Sequence, residues 1–124
     1  MVVAVPQLVK VRRTAEAFLT YEVTGVEDRL VPWGARKGEQ YRPMGAVVRF
    51  KMTDRNMGTR VQLVCIGIDI QGKRLKADGT PGVRAVTDYL YADRMEHAPQ
   101  WARDLLAKAE ADMVLADEAT ARGL

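Results

Sequence analysis

Gly67, Gly72 and Lys73 stand at the spacing G-x-x-x-x-G-K, that of a phosphate-binding loop. Such a loop turns successive backbone N–H groups toward phosphate at the start of a helix. Its lysine reaches the terminal phosphates, and a Ser or Thr after the lysine holds Mg²⁺. Here that last position is Arg74, so the metal ligand is missing. Ile68-Asp-Ile70 continues a strand alternation, and Gly79, Pro81 and Gly82 bar a helix from the segment that follows. The expected structure is a strand to Ile70, a turn or bulge at Gln71-Gly72 and a basic loop, with no nucleotide site.

The remaining catalytic chemistries lack partners. His97 is the one histidine, so a multi-histidine metal centre is excluded. The one cysteine, Cys65, falls in the most apolar stretch of the chain, where a buried thiol is inert. Asp54, Asp69, Asp78 and Asp88 show no calcium-loop spacing, and aspartates in turns generally serve the turn. The chain therefore reads as no enzyme, with no catalytic residue, metal, cofactor or small-molecule substrate.

Cations interleaved with aromatic residues are what remains. Trp33, Arg36, Lys37, Tyr41 and Arg42 share one segment, Lys73, Arg74 and Lys76 another, and Arg49 and Lys51 project from one strand face. Proteins that bind single-stranded nucleic acid combine cationic grooves with stacking aromatics on a sheet. These basic loops therefore point to an anionic partner, nucleic acid. The other reading makes Trp33 and Tyr41 core anchors and the protein an interaction module, a homodimer or an accessory or inhibitor protein of a bacterium or phage. Val114 and Leu115, on the outer side of the C-terminal helix, are its candidate contacts.

The elements that must carry these residues follow from periodicity. Val48, Phe50 and Met52 alternate with Arg49, Lys51 and Thr53, which predicts a half-buried strand. Asp54–Gly58 is a turn cluster. Arg60–Ile70 is apolar on both faces, the pattern of a central strand covered on both sides. Val83–Tyr91 is rich in β-formers, and Leu8–Arg12 reads as an edge strand. Ala17, Leu19, Tyr21 and Val23 alternate with polar residues, favouring a strand, although Thr14 ahead of Ala-Glu-Ala also has the form of a helix cap. Residues 25–45, with two prolines and several glycines, read as one long loop.

Near residue 95 the period changes. Pro99 suits a first helical turn. Trp101, Ala102, Leu105, Leu106, Ala109, Met113 and Ala116 then share one face of a helix over 99–120, with Asp104 and Lys108 spaced to pair. The prediction is one α+β domain over 1–124. An antiparallel sheet of four or five strands fills 1–91, and the amphipathic helix packs on it.

Charge and composition bound the setting. The 124 residues carry a net charge of +3, unevenly spread: residues 1–91 hold 15 Lys/Arg against 9 Asp/Glu, and residues 92–124 hold 4 against 7. The basic body calls for an anionic partner, unless the acidic tail folds back and neutralises it. Apolar runs fall far short of a bilayer span. Met1–Val5 has no basic residue before it and meets Pro6, unlike a secretory signal, so the expected location is the cytoplasm.

Overall fold

The computed structural model describes residues 7–13, 16–32, 34–55 and 60–121. Trp33, most of the Asp54–Gly58 turn and the side chains of Val114 and Leu115 lie outside that description. Among the described residues, six strands form one antiparallel sheet: β1 (Gln7–Arg13), β2 (Glu16–Glu22), β3 (Arg29–Leu30), β4 (Gln40–Arg55), β5 (Arg60–Leu75) and β6 (Pro81–Tyr91). The spatial order is β1-β2-β4-β5-β6, with the short β3 paired to the start of β4. A 3-10 segment, Ala92–His97, leads into helix α1, Gln100–Ala121. The architecture is α+β as expected, but the sheet has six strands where four or five were predicted.

Alternation builds the core. Ala17, Leu19 and Tyr21 of β2 lie opposite Phe50, Val48 and Ala46 of β4. Val48 and Ala46 face Ile68 and Ile70 of β5, and Ile68 faces Leu90 of β6. All these side chains are buried, and Ala102, Leu105, Ala109 and Met113 of α1 are buried in the same cluster. Period two in the strands and 3.6 in the helix thus meet in one apolar layer. Tyr21 ties the layers together: its hydroxyl donates to Asp112 Oδ2 of α1 at 2.7 Å. Lys108 donates to the same oxygen at 2.8 Å, so it pairs with Asp112 instead of Asp104, which takes a hydrogen bond from Gln100.

Two predicted boundaries move. β4 begins at Gln40, inside the segment read as a loop. A bulge between Pro43 and Gly45 lets it pass its proline, which lies opposite Gly72. β5 runs through Gln71-Gly72 to Leu75, so Lys73 and Arg74 lie on a strand and the turn falls at residues 76–80. β5 is central in the order, yet Val64 and Ile66 are more than a third exposed, because α1 covers only one face of the sheet. Among the described residues, no helix is long and apolar enough to cross a membrane.

Candidate functional site

The stretch Gly67–Lys73 is extended throughout, and its residues pair with β4 and β6. Its N–H groups therefore do not converge on a point, as a phosphate cradle requires. Asp78 serves its turn: its Oδ1 accepts from Thr80 N at 3.0 Å and from Thr80 Oγ1 at 2.6 Å, which holds the carboxyl below its ordinary value. Gly79 closes that turn in the left-handed region, φ 82°. Burial pushes the Cys65 thiol up, away from the thiolate a nucleophile needs. His97 is exposed, its Nε2 3.6 Å from Glu96 Oε1. Among the described residues, no group of three or more His, Cys, Asp or Glu is placed to hold a metal ion.

The cations of the two basic segments divide into three kinds. Arg42 is held by Asp28, Nε to Oδ1 at 3.0 Å and Nη2 to Oδ2 at 3.3 Å, and also reaches the Gly79 carbonyl. Lys37 and Lys73 have no ion-pair partner among the described residues. Arg36, Arg74 and Lys76 come together. They line an open cleft of about 340 Å³ with Glu39, Gln40, Leu75 and Ala77, where the turn before β4 meets the end of β5.

Glu39 is the one carboxylate in this lining, and both arginines share it: Arg36 Nη1 lies 3.4 Å from Oε1 and Arg74 Nη1 3.2 Å from Oε2. The Arg74 contact is electrostatic only. Its Nη1 is buried and makes no hydrogen bond. Two arginines thus share one carboxylate, and Lys76 lines the same space, so the cleft holds more positive than negative charge.

Tyr41 has a different place. Its ring is fully buried, so it is closed to a base, and its hydroxyl accepts from Arg29 Nε at 3.2 Å. Burial pushes that hydroxyl up to about 12, against the pull of the Arg29 guanidinium. Arg29 Nη2 also binds Asp88 Oδ2 at 3.1 Å, while Arg94 Nη2 stands 3.9 Å from Asp88 Oδ1. This cluster clamps β3 and the 3-10 segment onto β6. It is a structural use of Tyr41.

A second set of residues gathers on the sheet face away from α1. Phe18, Arg49, Gly67 and Tyr91 are cross-strand neighbours in one row over β2, β4, β5 and β6. The Arg49 guanidinium lies 5.3 Å from the Phe18 ring centre and 5.8 Å from that of Tyr91. Both its Nε and its Nη2 reach Asp69 Oδ2 at 3.0 Å, and the Tyr91 hydroxyl donates to Asp69 Oδ1. Arg49 and Gly67 stood out in the sequence for other reasons, and Phe18 and Tyr91 did not stand out as site residues. The alternation around Phe18 and Tyr91 was visible, but the register that makes them neighbours is a long-range property.

No protein-family model, curated protein or solved structure matches the chain.

Proposed function

We propose that the protein is a non-catalytic binding module that takes an anionic polymer, nucleic acid, at the cleft of Arg36, Arg74 and Lys76. The observation that carries this reading is the convergence of Arg36, Arg74 and Lys76 on one cleft whose lining holds a single carboxylate, Glu39. A phosphate group there would meet the cationic excess. Distribution of charge supports the same view. Residues 1–91 hold 15 Lys/Arg against 9 Asp/Glu, and Lys108 of α1 answers Asp112 within the helix.

The test is a salt titration of affinity for a single-stranded oligonucleotide. Each neutralised phosphate releases condensed counterions, so log Kd should vary linearly with log salt. Changing Arg36, Arg74 and Lys76 together to alanine should lower the slope by roughly one unit per lost contact. Thermal stability should shift little, because exposed ion pairs contribute about 1 kcal/mol or less. Absence of binding at low salt would end the proposal.

A second reading is self-association through the sheet edge. β6 is an edge strand of the order, and it carries Val83 at 92% exposure. An unpaired edge invites another strand. Light scattering that shows a dimer, lost in a Val83→Lys variant, would favour this reading.

A further inference from the structure

We propose that the sheet face opposite α1 is a stacking platform for unpaired nucleobases. This rests on the nucleic-acid reading above and narrows it to single strands. Among the described residues, the buried apolar side chains of the sheet lie on the α1 side, and across the other face only Asp69 and glycine are buried. Among the described residues, the aromatic residues on that open face are Phe18, Tyr89 and Tyr91, from strands β2 and β6.

The row is built and held. Tyr91 lies against bare backbone: a Cβ on Gly67 would stand 1.7 Å from Tyr91 Cδ1. Arg49 fills the space between Phe18 and Tyr91, and the buried Asp69 fixes both its guanidinium and the Tyr91 hydroxyl. Guanidinium planes and aromatic rings are the two surfaces on which unstacked bases rest. Tyr89 stands in the next row, opposite Asp69, 6.3 Å from Tyr91 between ring centres and 43% exposed. It is the ring most open to a base.

Stacking surfaces and one open cation point to the occupant. Lys51, Arg49 and Arg42 lie along the open side of β4, and Lys73 pairs with Arg42 across to β5. Arg49 is held by Asp69 and Arg42 by Asp28, and Lys51 stands opposite Glu16, which leaves Lys73 as the cation of this face without an ion-pair partner among the described residues. Lys73 and Arg74 are neighbours on β5 that point to opposite faces, so Lys73 belongs to the platform and Arg74 to the cleft. A polymer with planar bases and phosphates matches both features.

The experiment compares two labelled strands of equal length by fluorescence anisotropy: an oligothymidylate and its abasic counterpart. The wild-type chain should bind the base-bearing strand about 5- to 100-fold more tightly. Tyr89→Ala should remove most of that preference and leave affinity for the abasic strand unchanged; Tyr89→Phe should keep the preference. Equal affinity for the two strands would overturn the platform. So would a preference that survives both Tyr89→Ala and Phe18→Leu. If the two strands bind equally and the cleft variant weakens both, the cleft reading stands and the platform falls. If neither strand binds, both fall.

Discussion

Two buried carboxylates, Asp69 and Asp88, show how single residues are fixed in this fold. Each is almost fully buried and each is met by arginine. A buried charge is tolerated only when paired and hydrogen-bonded. Arg49→Met should therefore cost about 3 kcal/mol in urea denaturation, the lower end for breaking a buried pair, because Arg49 keeps a third of its side chain in water. Adding Asp69→Asn should recover part of that loss; simply additive losses would show that the two do not act as a pair.

Tyrosines supply a pH dependence at the same scale. Burial first, then a carboxylate neighbour, raises the phenols of Tyr21 and Tyr91 above the ordinary value of 10.0, and burial raises Tyr41 to about 12. A phenol raised on folding contributes its full stabilisation below pH 10.0 and loses it as pH climbs through the folded value. Alkaline titration should thus show these tyrosinates appearing together with loss of the circular dichroism of the sheet. Ionisation of all of them ahead of unfolding would contradict the burial described.

Elements obeyed local pattern wherever one face was buried and the other was not. The alternation of Leu19 and Tyr21, and of Val48 and Phe50, was legible because burial on the α1 side imposes period two. The helix was legible for the matching reason at 3.6. Residues 40–45 were not, since Pro43 and Gly45 are strand breakers by composition; a bulge beside Gly72 accommodates them, and only the partner strand reveals that. Gly72 itself read as a turn. It serves a close approach, with a Cβ there only 2.1 Å from the Arg42 carbonyl oxygen. β3 is two residues long and has no period to read. Of the cleft, the sequence displayed Arg36, Arg74 and Lys76 but concealed Glu39 as their shared partner, since convergence across strands depends on register.

The helix–sheet seam yields a direct test at this scale. Leu105→Ala should destabilise by about 2–5 kcal/mol, because Leu105 is 1% exposed in the core, while Val83→Thr at 92% exposure should stay within about 0.5 kcal/mol. Gly67→Val should cost about 1–3 kcal/mol by driving the Tyr91 ring off the sheet. Equal effects of Leu105→Ala and Val83→Thr in thermal melts would contradict the packing of α1 on the sheet.

For the whole molecule the governing quantity is where the positive charge of the sheet is left uncompensated. Arg29, Arg42 and Arg49 are committed to internal carboxylates, and Lys108 answers Asp112 within the helix. The cleft differs, because Glu39 alone serves both Arg36 and Arg74, and Lys76 lines the same space. Affinity for a polyanion should therefore respond to charge at this place in both directions. The most direct measurement is the dissociation constant for a single-stranded oligonucleotide at fixed low salt, taken for the wild type, Glu39→Gln and Arg74→Gln. Glu39 is 44% exposed, so removing its charge leaves the core untouched and frees both arginines. Glu39→Gln should tighten binding several-fold, and Arg74→Gln should weaken it by about tenfold, the size of one charged hydrogen bond of about 1.5–3 kcal/mol discounted for solvent. Unchanged affinity in both variants, or a shift in the same direction in both, would contradict the assignment of the cleft as the anion-binding site.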